Sequence, residues 1–208
     1  MAFDTREQKR IKVAIIMGSV RPGRFCDTVT SWLMAALENS AEFALKVIDP
    51  AELPLPGWAD LQESAGAAEL RSRLAEAEAF IIVTPEYNHS FSAALKSVID
   101  TAYEEWQAKP VGFVSYGGLS GGLRAVEQLR LVFAELHAVT MRDSVSFASA
   151  WNQFDDLGNL INPAQAEKSL NAMMSKLHWW ASALNTARQQ SAYNKATVSS
   201  QWLPRTAA

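Results

Sequence analysis

Two hydrophobic periods alternate along the chain. Short apolar runs occur at 11–17 (IKVAIIM), 44–48 (ALKVI), 79–84 (AFIIVT) and 111–115 (VGFVS). Runs this short, rich in β-branched residues, suit strands buried on both faces. Between them lie segments with helical spacing at 25–39, 67–77, 92–105 and 123–136. In the first of these, Val29, Trp32, Leu33, Ala36 and Leu37 share one side. A fifth strand is expected over 139–145. A long final helix is expected over 164–187, with an apolar stripe of Leu170, Met173, Met174, Leu177, Trp180 and Leu184. The segments 50–57 (Pro-rich) and 151–163 (polar) read as loops. The tail 191–208 has no period, although Tyr193, Trp202 and Leu203 suggest that it packs on something.

Strands alternating with helices predict an α/β fold: a doubly wound, five-stranded parallel sheet covered on both faces. No repeat or linker divides the 208 residues, which suit one domain with a core at about 11–187 and terminal extensions at 1–10 and 191–208. Ligands of such sheets sit beyond the carboxyl ends of the strands, at the switch point of strand order. Candidate chemistry is therefore sought after strands one, three and four.

Composition narrows the partners. Nineteen basic and 22 acidic residues leave a net charge of −3, so no basic excess recruits nucleic acid or anionic lipid. Residues 1–10 are polar and lack the apolar centre of a signal peptide. The longest apolar runs fall far short of the roughly 20 residues that cross a bilayer. The lone Cys26 forms no internal disulfide and fits a reducing compartment. The expectation is a cytoplasmic protein without membrane or nucleic-acid partners.

After strand one comes GSVRPGR at 18–24, then a helix. Ser19 offers a hydroxyl, Arg21 and Arg24 offer guanidinium donors, and the helix start offers free N–H groups. That set suits a terminal phosphate; the plainer alternative is a strand-to-helix turn with two surface arginines. Arg24-Phe25 stands where a Walker loop has Lys-Ser/Thr, and G-x-G-x-x-G is absent. After strand three comes TPEYNHS at 84–90. Pro85 ends the strand, Tyr87 presents an aromatic ring, and backbone amides here can meet the polar edge of a flat heterocycle. Asn88 or Ser90 is a candidate cap for the next helix. Glu86 and His89 are candidates for direct chemistry, but a lone loop histidine is more often merely exposed. After strand four comes SYGGLSGG at 115–122, whose four glycines admit close ligand approach or simply make a tight connection.

Other chemistries lack their anchors. His89, His137 and His178 do not cluster with Cys26 or paired acids at metal-ligand spacing. No G-x-S-x-G elbow appears. Cys26 at a helix start is a weak candidate for redox catalysis. Trp179 and Trp180 suit packing.

The three loops together, and above all TPEYN after strand three and KPVGFVSYGG at 109–118, resemble the NAD(P)H-dependent FMN reductases of the flavodoxin-like fold. That family includes quinone, azo-dye and chromate reductases. The resemblance covers about 11–185 and implies strand order 2-1-3-4-5. It implies FMN as cofactor and NADPH or NADH as hydride donor. The phosphate would lie against Ser19, Arg21, Arg24 and the backbone through Phe25 to Cys26. The ring would rest on Pro85, Glu86, Tyr87 and Asn88, with Ser115, Gly117, Gly118 and Ser120 from the third loop. Relatives often carry Ser or Asn within 24–26, so Arg24 either covers the phosphate or points to solvent. The implied reaction is ping-pong hydride transfer to a small acceptor such as a quinone, azo compound, free flavin or metal oxyanion. No catalytic side chain is required, because the flavin carries the chemistry. The family also implies a homodimer or homotetramer. Rival readings are a flavodoxin-like electron carrier, disfavoured by the modest charge, a redox-sensing FMN-binding module, and a nucleotide-phosphate enzyme, disfavoured by the missing Walker lysine.

Overall fold

The computed structural model describes residues 10–53 and 64–195. The remainder of the Pro-rich loop, Trp202 and Leu203 lie outside the described residues.

Strands β1 (Ile11–Met17), β2 (Phe43–Ile48), β3 (Ala79–Pro85) and β4 (Pro110–Gly117) form a parallel sheet. The sheet order is β2-β1-β3-β4-β5, as the family resemblance implies. Every residue of β3 and β4 is buried, which is why these runs show no polar alternation. Helices α1 (Cys26–Leu37) and α5 (Ala164–Gln190) cover one face, packing Val29, Leu33, Met173 and Leu177 on Val13, Ile15, Ile81 and Val83. Helices α2 (Ala65–Glu76), α3 (Ala93–Asp100) and α4 (Leu123–Glu135) cover the other, over Ile16, Phe80, Ile82 and Phe113.

Three expectations need correction. The fifth strand is broken into β5 (Val139–Thr140) and β6 (Val145–Ala148), and both pair with β4. Met141 still donates its N–H to Val111 O, and its side chain is buried. The ladder then stops, and Arg130 of α4 donates to the carbonyls of Met141 (2.5 Å) and Arg142 (3.1 Å). Those oxygens thus keep partners without a strand. Helix α3 is also shorter than the pattern over 92–105. The chain turns after Asp100 so that Trp106 enters the core, 4.6 Å from Phe80 and 5.4 Å from Phe133 by ring centroids. The Trp106 indole N–H donates to Ile99 O at 3.1 Å, supplying a carbonyl at the helix end. In α5 the buried stripe ends at Ala181, leaving Trp180 37% exposed at its margin.

Candidate functional site

The chain leaves β1 toward β2 and enters β3 on the opposite side of β1, so the crevice opens beyond Met17 and Pro85. Loop one (18–25) follows β1, loop two (86–92) follows β3, and loop three (118–122) follows β4. Gly18 starts the first because a Cβ there would lie 2.7 Å from Val83 O. Its N–H donates to that oxygen, and its own carbonyl accepts from Ser92 Oγ at 2.6 Å. Ser92 also caps α3 by accepting from Leu95 N, so the cap is neither Asn88 nor Ser90.

In loop one, Ser19 is fully buried and shares a hydrogen bond with Tyr87 Oη at 2.8 Å. Arg21 is exposed, and its guanidinium carbon lies 3.7 Å from the centre of the Tyr87 ring, a cation–π contact. Arg24 neither points to solvent nor stays free for an anion. It forks onto Asp49 at the end of β2, donates to Ser19 O at 2.6 Å, and meets Asp27 at 2.8 Å. Asp49 holds the Arg24 guanidinium above its ordinary value. Burial pushes the Asp49 carboxyl up, but Arg24 and the Ala51 amide outweigh it and hold the carboxyl below the usual range. Phe25, at the N-cap of α1, turns its ring toward Tyr116 and Phe154 and gives no side-chain cap. The starts of α2 and α3, by contrast, are capped by Ser64 and Ser92. Cys26 is fully buried, and burial pushes its thiol up, which removes the weak case for thiol redox chemistry. Its backbone still opens the helix.

Loops two and three are tied together. Pro85 is buried and pairs with Tyr116. Glu86 accepts from Ser120 Oγ (2.5 Å), Arg124 N (3.2 Å) and Arg124 Nη1 (2.8 Å). Burial pushes the Glu86 carboxyl up, but Ser120 and Arg124 outweigh it and keep it below the usual range. Tyr87 and Ser90 exchange backbone hydrogen bonds at 2.8 and 3.0 Å. Asn88 (φ +51°) and His89 (φ +66°) form the exposed tip between them. The tip is held through the His89 carbonyl, which accepts from Gln128. Ser115 is fully buried and donates to Gly121 O at 2.8 Å, so it supports loop three from beneath rather than facing a ligand. Gly117 is buried beside Glu86, whereas Gly118 is exposed. Gly121 (φ +62°) and Gly122 (φ +86°) fold the loop back so closely that Cβ atoms would meet Ser146 Oγ at 2.3 Å and Ser115 Cβ at 2.7 Å.

The structure thus brings Ser19, Arg21, the start of α1, Tyr87, Asn88 and Gly118 to one edge. Arg24, Glu86, Ser115 and Ser120 brace that edge. Sequence reasoning missed Asp49, Arg124 and Tyr116. A carboxylate directly after a strand is a recognisable signal for Asp49. Arg124, in the first turn after a glycine-rich loop, is a weaker one. Tyr116 Oη and Thr30 Oγ1 are buried against the Cys26 thiol. Burial raises the tyrosine above its ordinary range, as do the adjacent Cys26 and Tyr87. An uncapped helix start and an exposed arginine are donors suited to an anion with polar oxygens. Clefts of about 520 and 660 Å³ lie elsewhere, one along β2 and α2 and one between α1, β2 and α5. Among the described residues no group of three or more His, Cys, Asp or Glu could hold a metal, and no helix is long and apolar enough to cross a membrane.

Residues 11–152 match the family described as NADPH-dependent FMN reductase. An NAD(P)H-dependent FMN reductase of Saccharomyces cerevisiae is 37% identical over 149 residues, covering 63% of this chain and 76% of the yeast protein. One of Schizosaccharomyces pombe is 36% identical over 120 residues, 53% of this chain and 60% of its own length. An NADPH:quinone oxidoreductase of Arabidopsis thaliana is 31% identical over 179 residues, 79% of this chain and 89% of its own. In three dimensions the chain resembles FerB of Paracoccus denitrificans, a flavoenzyme NAD(P)H:(acceptor) oxidoreductase, with a TM-score of 0.67 at 20% identity over 83% of this chain and 98% of that one. With its switch-point loops, its sheet order and a match spanning β1 to the turn after β6, this chain belongs to the NADPH-dependent FMN reductase family.

Proposed function

We propose that the protein is a cytoplasmic FMN-dependent oxidoreductase that takes a hydride from NADPH or NADH and delivers it to a small acceptor, with quinones foremost. The observation that carries this reading is the meeting of three loops around an anion-ready helix start, in a chain of this family. When bound, FMN would supply the hydride chemistry between nicotinamide and acceptor. Arg21 and the first amides of α1 would hold the phosphate, with the buried Ser19 hydroxyl supporting Tyr87 beneath them. Arg24 is a positioning residue: through Asp49 and the Ser19 carbonyl it fixes the loop that presents those donors. The exposed tip at Asn88 and His89 presents backbone N–H groups to the polar edge of the ring, where fixed dipoles meet negative charge without reorganising. Glu86, Ser120 and Arg124 tie loops two and three together and so would fix where each meets the ring.

The bonds of such a reaction are made on the cofactor, so the residues of the site bind and orient. In this reading donor and acceptor take turns at the same face of the ring. Steady-state rates at varied NADPH and quinone should give parallel double-reciprocal lines; intersecting lines, from a ternary complex, would refute the shared site. Homodimer formation through α3 and α4 belongs to the same reading. Leu131 and Leu123 of α4, 75% and 47% exposed, supply apolar surface for it.

A further inference from the structure

The turn after β6 holds a tryptophan out beside loop three. Ser149 adopts φ +48°, the left-handed region that non-glycine residues rarely enter. Its N–H donates to Gly118 O at 2.8 Å, and the same carbonyl accepts from Gly121 N at 3.2 Å. Ala150 is fully buried. Phe154 is 7% exposed, with its ring 5.5 Å from Phe25 and 5.2 Å from Phe147. Gln153 Nε2 closes the turn on Ala148 O at 2.6 Å. Between these anchors Trp151 stays 61% exposed. Its Cη2 lies 3.9 Å from where a Cβ on Gly118 would stand. Leu119, the next residue of loop three, is 91% exposed.

A strained backbone held by surrounding contacts often marks a functional position. Here the strain and the buried anchors present a large flat apolar side chain beside loop three, next to a glycine that leaves room. We propose that Trp151, backed by Leu119, is a specificity-determining wall that seats flat aromatic acceptors, bicyclic quinones in particular. This rests on the flavin reading, which puts the reacting ring against Gly118. The wall selects by stacked area rather than by a hydrogen bond, so it favours extended rings over small, highly charged acceptors. The chemical step is that of the site: a quinone gains a hydride and a proton and leaves as the hydroquinone, while NADPH or NADH is oxidised.

The test uses FMN-loaded protein with Trp151→Ala and Trp151→Phe. Four quantities are read: FMN affinity by flavin fluorescence, binding of the non-reducible 2-naphthol by change in flavin absorption, kcat/KM for menadione and for ferricyanide, and sedimentation. For Trp151→Ala, naphthol binding and menadione kcat/KM should each fall about fivefold or more, the latter through KM. FMN affinity, the ferricyanide rate and sedimentation should not change, and Trp151→Phe should recover most of the loss. Equal losses for menadione and ferricyanide, no loss for either, or a changed assembly state would overturn the proposal. Failure of the unaltered protein to bind FMN is a separate result, and it would refute the flavin reading and the wall together.

Discussion

Arg21 and Arg24 sit three residues apart with different surroundings. Arg24 is held by Asp49 and Asp27, whereas Arg21 meets no carboxylate among the described residues and lies on the Tyr87 ring. Arg21 is therefore the guanidinium available to a phosphate. Arg21→Ala should weaken FMN far more than riboflavin, because a charge-assisted contact of about 1.5–3 kcal/mol exists only for the phosphorylated flavin. Equal losses in parallel titrations of the two flavins would contradict that assignment. This division was hidden in the sequence, since the partner that captures Arg24 is 25 residues distant. Asp49 lies beyond a different strand, and only the β1–β2 pairing brings the two together. Ser115 and Ser120 were legible as loop-three residues, but not their engagement with Gly121 and Glu86.

Among the elements, the four long strands were readable because burial on both faces leaves unbroken apolar runs. The break between β5 and β6 was marked only by the polar run 142–144, and what replaces its missing ladder, Arg130, is a side chain of another element. The early end of α3 likewise depends on where Trp106 goes. Lys109, just before β4, gives a prediction at this scale. It is 7% exposed and donates to Leu74 O (3.0 Å) and Ala75 O (3.2 Å) at the end of α2. Burial, with a further push from Arg188, lowers its ammonium from 10.5 to about 8. Between those values the unfolded chain holds the proton that the folded chain has released. Stability from this group therefore rises with pH from about 8 to 10.5. Melting temperatures across that range should climb for the natural protein relative to Lys109→Met. A relative fall would refute the buried-ammonium account.

At the scale of the molecule, the alternation of strands and helices made the doubly wound sheet legible, and TPEYN with the two glycine-bearing loops made the family legible. Assembly was less legible, because an exposed Leu131 and an exposed Trp179 look alike in a helical pattern. If α4 forms the dimer contact, sedimentation at micromolar concentration should give twice 22.9 kDa, and a species of 22.9 kDa alone would contradict it. The central claim is that this fold holds FMN at three loops and passes a hydride through it. The most direct test is the visible spectrum of the FMN-loaded protein under nitrogen, first with one equivalent of NADPH and then with a quinone. The account predicts that the flavin band bleaches on the first addition and returns on the second, with no ternary complex needed. A band that persists with both NADPH and NADH would contradict it.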